Sequence, residues 1–145
     1  MDGIKSMLSM LNALRLLENA TRNIDEKNSK ELFSLNFKLL CSVYRLGSPT
    51  QSEVVKDIML AKSNVAIFAK KLIEQGLLAT RSDDNDKRIV YYILTKNGKN
   101  YVESVLDKAS AILDCLPQTK ADKFQRNITS SENLLIELEK ESRNS

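Results

Sequence analysis

Histidine is absent from this chain of 145 residues. The sequence therefore lacks the commonest general base of enzymes and the commonest zinc ligand. It also has only four glycines and no glycine-rich loop that could cradle a phosphate group. These absences argue against an enzyme, and we predict no catalytic residue, no cofactor and no metal site.

Cysteines are few and long apolar runs are missing. Cys41 and Cys115 belong neither to a C-x-x-C pair nor to a secreted cysteine framework, so we interpret both as reduced thiols. A membrane span needs about 18 consecutive apolar residues, and no such run occurs. Lys5, Arg15 and Glu18 interrupt the leucines near the start, where no signal-peptide pattern is found. We expect no membrane partner and a cytoplasmic location.

The charges of the two signs nearly balance, with 22 Lys and Arg against 19 Asp and Glu, a formal net charge of +3. So small an excess does not by itself indicate a nucleic-acid partner. The length fits one ordinary domain. The function must therefore be inferred from the positions of the charged residues.

Apolar periodicity predicts two helices before the middle of the chain. Between Ile4 and Leu17, apolar residues recur at spacings of three and four, which is typical of an amphipathic helix. After a polar stretch over residues 21–28 the pattern resumes in a second helix that carries Phe33 and ends at Gly47.

The middle of the chain predicts a helix-turn-helix followed by a hairpin. Thr50 and Glu53 form a capping box for a short helix over residues 51–59. The next helix begins near Ala61 and ends at Gly76. Its inner face carries Val65, Phe68, Ala69, Leu72 and Ile73. Strand-like runs over residues 77–81 and 89–94 then flank a turn-rich segment at residues 82–86.

Two further helices are predicted at the end of the chain. Thr95 can cap a helix whose apolar spacing continues to Leu116, and a last helix carries Phe124 and Leu138, with a frayed tail after Glu139. The fold class is therefore mainly α with a small two- or three-stranded β wing.

The second helix of the pair has a small, polar and basic outer face, which suits contact with base edges in the major groove of DNA. The candidate DNA-binding residues on this face are Lys62, Ser63, Asn64, Ile67, Lys70 and Lys71. Ile67 is the apolar exception, and it could contact a thymine methyl group. The alternative interpretation is an ordinary exposed isoleucine.

The hairpin gathers cations beside its tip. Its candidate DNA-binding residues are Arg81, Asp86, Lys87 and Arg88, which could lie along the phosphate backbone or enter the minor groove. A carboxylate repels phosphate, so we expect Asp86 to orient Arg88 through a charge-assisted hydrogen bond. The alternative is a solvated charged turn.

Three short motifs follow one another between residues 72 and 98. They are L-x-x-x-G-L over residues 72–77, D-x-R over residues 86–88 and L-T-x-x-G over residues 94–98. Together with the preceding helix pair they resemble the MarR (multiple antibiotic resistance regulator) family of winged helix-turn-helix regulators. This resemblance covers about residues 32–98.

The resemblance implies an obligate homodimer that binds pseudo-palindromic double-stranded DNA through two recognition helices and two wings. It implies that Arg88 approaches the minor groove while Asp86 orients it, and that Ser63, Asn64 and Lys71 occupy positions of the reading helix. The sequence departs from its relatives at Ala66 and Ile67, where threonine and arginine are frequent.

Apolar positions outside the helix pair independently favour a homodimer, because a second copy would bury them. They are Met7, Leu8, Leu11, Leu14, Ile112, Leu116, Ile128, Leu135 and Leu138. We predict a single MarR-like domain over residues 1–145, with a DNA-binding lobe at 32–98 and dimerisation helices at 1–22 and 99–140.

The function that follows is that of a DNA-binding transcriptional regulator, in particular a repressor. The resemblance leaves open release from DNA by a small phenolic or lipophilic effector, with Tyr44, Cys41 and residues 11–17 as candidates to line its cleft. Oxidation of Cys41 is a second route, although its place in the middle of a helix favours an inert thiol. The alternative function is a winged-helix protein-interaction module that binds no DNA.

Overall fold

The computed structural model describes residues 1–145. Residues 1–109 and residues 110–145 form two compact units, and each is described by itself. The first contains helices α1 to α6 and a two-stranded antiparallel sheet, and the second contains a short 3-10 helix followed by α7. The predicted fold class, mainly α with a small β wing, is confirmed.

The elements have the following bounds. The helices are α1 Gly3–Ile24, α2 Glu26–Leu32, α3 Leu35–Leu46, α4 Gln51–Ile58, α5 Lys62–Glu74, α6 Lys96–Ser110 and α7 Gln118–Arg143. The strands are β1 Leu78–Ser82 and β2 Val90–Leu94, paired so that Leu78 faces Leu94 and Ser82 faces Val90.

The stretch before α3 differs from the prediction. Residues 21–28 were expected to separate two helices, yet α1 runs to Ile24 and α2 begins at Glu26. Asp25 makes this close junction, since its backbone N–H donates to the Thr21 carbonyl while its carboxylate accepts from the Asn28 N–H. Phe33 lies outside α3 because Ser34 caps that helix by accepting from the Phe37 N–H.

The helices near the end of the chain also depart from the expected bounds. Helical spacing predicted one helix up to Leu116, but α6 ends at Ser110 and a 3-10 turn covers Ala111–Cys115. The final helix continues past Glu139, where fraying was expected, to Arg143. An ion pair between Arg143 and Glu139, one helical turn apart, supports this last turn.

The core of the first unit lies among α3, α4, α5, the sheet and α6. Its buried apolar side chains are Phe37, Leu39, Leu40, Val43, Val54, Ile58, Val65, Ala69, Leu72, Leu78, Tyr92, Val102 and Val105. Full burial of a Val, Leu or Phe side chain stabilises the fold by roughly 1.5–3 kcal/mol. Ile73 was predicted to face inward but is exposed.

The L-T-x-x-G motif joins the sheet to the end of α5. The Thr95 hydroxyl donates to the Gly76 carbonyl at 2.6 Å and accepts from the Gly98 N–H at 2.9 Å, so it caps α6 as expected. A Cβ atom at Gly98 would lie 1.9 Å from the Leu77 carbonyl oxygen. Only glycine therefore lets α6 pack this closely on the start of the wing.

Buried polar groups attach α1 and α2 to the rest of the first unit. The hydroxyls of Thr21 and Ser29 lie 2.9 Å apart and are both buried. The Asn28 amide donates to the Val105 carbonyl at 3.0 Å. Because these buried groups are hydrogen-bonded, they fix the position of α2 against α6 with little desolvation cost.

Candidate nucleic-acid interface

Helix α5 is the second helix of the predicted pair, and it packs on the core through Val65, Ala69 and Leu72. The capping box of α4 between Thr50 and Glu53 is present, which confirms that prediction. At α5, by contrast, the N-cap Ala61 makes no side-chain hydrogen bond. The backbone N–H groups of the first turn of α5 therefore lack a side-chain cap.

All the residues predicted for the outer face of α5 are exposed; they are Lys62, Ser63, Asn64, Ile67, Lys70 and Lys71. At about 100° per residue, Ser63 and Ile67 lie opposite the buried stripe. None of these side chains has a hydrogen bond or ion pair within the chain, and the Nζ of Lys71 lies 6.0 Å from the Phe68 ring centroid. The charges of Lys62 and Lys70 are thus free to pair with an external anion.

The wing is fastened to the start of α4. An isolated β-bridge joins Thr50 to Tyr91, and the Tyr92 N–H donates to the Pro49 carbonyl at 2.8 Å. The Gln51 amide donates to the Tyr92 hydroxyl at 2.9 Å. These bonds connect strand β2 of the wing to the start of α4, so the wing does not extend as an isolated hairpin.

Arg88 at the wing tip is held by Asp86, as the sequence predicted. The guanidinium Nε donates to Oδ1 of Asp86 at 3.1 Å, and Nη2 donates to Oδ2 at 3.1 Å. The Arg88 side chain is nevertheless 91% exposed. The bonds from Arg88 lower the pKa of the Asp86 carboxyl, and the same pair raises the pKa of Arg88.

Asp83 shapes the turn, a role that was not predicted from the sequence. Its Oδ2 accepts from the backbone N–H groups of Asn85 and Asp86, both at 3.0 Å, while its Oδ1 accepts from the Tyr91 hydroxyl at 3.0 Å. The backbone hydrogen bonds from Asn85 and Asp86 are the main cause that lowers the Asp83 pKa. This role could have been predicted, since the side chain of an aspartate at the start of a turn commonly accepts hydrogen bonds from backbone groups two residues on.

The other wing cations differ in how they are held. The guanidinium of Arg81 lies 4.5 Å from the centroid of the Tyr91 ring, which is a cation–π contact. Lys87 is exposed and has no bond within the chain. The wing therefore presents two oriented arginines and one free lysine.

The apolar residues predicted for a dimer interface are largely exposed in the single chain. In α1 these are Met7, Leu8, Leu11 and Leu14, with exposures between 53% and 66%. In the second unit, Leu116, Ile128, Leu135 and Leu138 are exposed, whereas Ile112 is half-buried. Ile4, Leu134 and Ile136, which were not predicted for the interface, are also exposed. Exposed apolar side chains in such number within one helix usually mark an interaction site.

An open cleft of about 500 Å³ lies in the first unit, lined by Val43, Tyr44, Gly47, Ser48, Ile93, Leu94, Thr95, Lys96 and Lys99. Of the residues proposed to line an effector cleft, Tyr44 is present, whereas Cys41 and residues 11–17 do not reach this cleft. Burial raises the pKa of the Cys41 thiol. A raised pKa lowers the thiolate fraction and so disfavours oxidation of Cys41.

Helices able to cross a bilayer are not found, since none combines the necessary length with sufficient apolar character. No group of three or more Cys, Asp or Glu side chains is placed to hold a metal ion.

Comparisons with known proteins agree with this geometry. The model of the MarR family matches residues 34–90. YwhA of Bacillus subtilis (strain 168), an uncharacterized HTH-type transcriptional regulator, is 25% identical over 116 residues, which span 79% of this chain and 84% of YwhA.

Solved structures share the fold at low identity. NadR in complex with 4-hydroxyphenylacetate superposes with a TM-score of 0.71 at 16% identity, covering 90% of this chain and 89% of NadR. A mutant of MarR from E. coli complexed with operator DNA gives a TM-score of 0.59 at 18% identity, covering 90% of this chain and 99% of that one.

Proposed function

We propose that this chain is a winged helix-turn-helix regulator of the MarR family, whose model matches residues 34–90, and that it is a homodimeric repressor that binds a pseudo-palindromic operator. The observation that carries the proposal is the pairing of Arg88 with Asp86 at the tip of a wing fastened to the helix pair. The E. coli relative of this fold was crystallised with operator DNA.

Two kinds of contact follow from the side chains. The lysines of α5 have the charge and the freedom to meet phosphates, which supply much of the affinity for DNA. Arg88 is already oriented, so a narrow minor groove with enhanced negative potential suits it. The DNA-binding lobe in this proposal is residues 32–98.

Dimerisation would cover the exposed apolar faces of α1 and of the second unit. We assign the interface to residues 1–22 and 99–140, which carry Met7, Leu11 and Leu14 in the first segment and Ile128 and Leu135 in the second. A two-fold axis would then set the two recognition helices about 34 Å apart, one turn of the DNA helix.

Repression follows from occupancy, since a dimer seated on an operator blocks access to that DNA. NadR, which shares the fold, was crystallised with 4-hydroxyphenylacetate, and we propose that a small phenolic or lipophilic effector releases this chain from DNA. The cleft beside Tyr44, with a volume of about 500 Å³, has the size range of small-molecule sites.

The experiment selects DNA from a random double-stranded pool with the purified full chain and measures affinity for the selected duplex against salt concentration. Six to ten phosphate contacts should cost roughly 10³–10⁵ in affinity between 50 and 200 mM salt. Light scattering should give twice the chain mass, 16.4 kDa per copy. A protein-interaction module would instead select no sequence and show no salt slope, and a monomer would contradict the dimer.

A further inference from the structure

We propose that Ile67 determines base specificity by contacting the C5 methyl group of a thymine in each half-site of the operator. This inference rests on the proposed function, because it names the base chemistry that the recognition helix reads. It concerns one exposed side chain that the packing of the core does not need.

Ile67 lies at the centre of the outer face of α5. Its side chain is 54% exposed, while Val65, Ala69 and Leu72 of the same helix are buried. Ser63 lies about one turn before it and Lys70 about one turn after it. Removing Ile67 would therefore leave no hole in the core, so its apolar character is not explained by packing.

The surrounding charge decides what kind of partner fits this side chain. Lys62, Lys70 and Lys71 accompany Ile67 on the exposed surface of α5. An apolar protein groove would have to desolvate these ammonium groups, which is costly. A polyanion with an apolar group between its phosphates avoids that cost, and the thymine methyl is such a group on the floor of the major groove.

The remaining chemistry of α5 points the same way. The helix contains no arginine, so guanine could be read only by its lysines, which flank Ile67 rather than occupy the centre of the exposed face. Asn64 carries the amide that can pair with adenine. At the centre of the exposed face, Asn64 and Ile67 therefore suit A·T pairs.

The test replaces thymine by deoxyuridine, one position at a time, in the duplex selected from the random pool. This change removes only the methyl group and keeps base pairing. Loss of one buried methyl should weaken binding of the wild-type chain about fourfold per half-site, and roughly fifteenfold when both half-sites are changed. The effect should be confined to one or two adjacent thymines in each half-site.

The variant Ile67→Ser should bind the thymine duplex more weakly and should lose its sensitivity to deoxyuridine. Ile73→Ser is the matched control, since Ile73 is 40% exposed on the same helix but lies about 120° around the axis from Ile67. This control should keep the full response to deoxyuridine. Unfolding midpoints equal to that of the wild type would confirm that both variants fold.

Two results would overturn the inference while the proposed function stands: wild-type binding that is unchanged at every deoxyuridine position, or Ile67→Ser that responds like the wild type. A selected half-site without thymine under α5 would also overturn it. Failure to select any DNA would instead defeat the proposed function, and with it this inference.

Discussion

The wing and the recognition helix hold their cations in opposite ways. Arg88 is hydrogen-bonded to Asp86, and Arg81 lies over the Tyr91 ring. Lys62 and Lys70 of α5 have no partner within the chain. Immobilising a long side chain on binding costs about 0.5–1.5 kcal/mol, and the wing arginines have already lost much of this freedom. In the proposed DNA complex, the wing would supply shape recognition and the flexible lysines of α5 would supply charge.

The difference also explains why carboxylates occur beside a surface proposed to bind phosphate. Asp86 orients an arginine, and Asp83 closes the turn that carries both residues. A free arginine would have more net attraction for phosphate but a less defined direction. The wing therefore has a smaller net positive charge, but its Arg88 side chain has a defined orientation.

The largest effect is expected from Arg88→Ala. Loss of an oriented groove contact should weaken operator binding by about 1–3 kcal/mol per wing, that is by roughly 5- to 160-fold per wing. Lys87→Ala, which removes the neighbouring free charge, should cost much less. Competition binding against the selected operator measures both, and equal losses for the two variants would contradict the distinction between held and free cations.

A smaller but more diagnostic effect is expected from Asp83→Ala. This variant removes the acceptor for the Asn85 and Asp86 N–H groups, so the turn should loosen and affinity should fall several-fold, in keeping with about 1 kcal/mol for a lost hydrogen bond. Asp83→Asn should restore most of the affinity, since one carbonyl oxygen can accept both backbone bonds.

Hydroxyl-radical footprinting reads out the position of the wing in these two variants. Protection of the minor groove should fade in Asp83→Ala and persist in Asp83→Asn, while protection under α5 stays. Equal footprints in all proteins would show that the turn does not position Arg88.

Lys70→Ala should weaken binding about evenly across DNA sequences. Removing one phosphate contact in each copy should lower the slope of log affinity against log salt by about one per copy. Base preferences from the random pool should not change. A shift in the selected sequence would mean that Lys70 reads a base. It would contradict the assignment of the α5 lysines to phosphate contacts alone.

The smallest effect is expected from pH. The folded wing lowers the pKa of Asp83 and Asp86, so their bonds persist above the unfolded pKa and disappear only as pH falls through the lower folded value. No histidine is present to titrate in between. Affinity at constant ionic strength should therefore stay flat from pH 8 to pH 5, and a loss near pH 6 would contradict the wing network described above.

The sequence by itself determined the helix pair, the hairpin and the candidate DNA-contacting residues. Val65, Ala69 and Leu72 recur at helical spacing, and Thr50 with Glu53 marks a helix start through local hydrogen bonds. The bond between Asp86 and Arg88 was predictable for the same reason, since the two residues are neighbours in the chain.

Only the tertiary structure determined the contacts between residues that are distant in the sequence. Tyr91 reaches Asp83 across the hairpin, Asn28 donates to Val105, and Gly98 packs against the Leu77 carbonyl. The end of α6 at Ser110 and the exposure of Ile73 likewise have no marker in the local pattern. Short-range periodicity records which side chains can share a face, whereas the contact each side chain makes depends on how the elements pack.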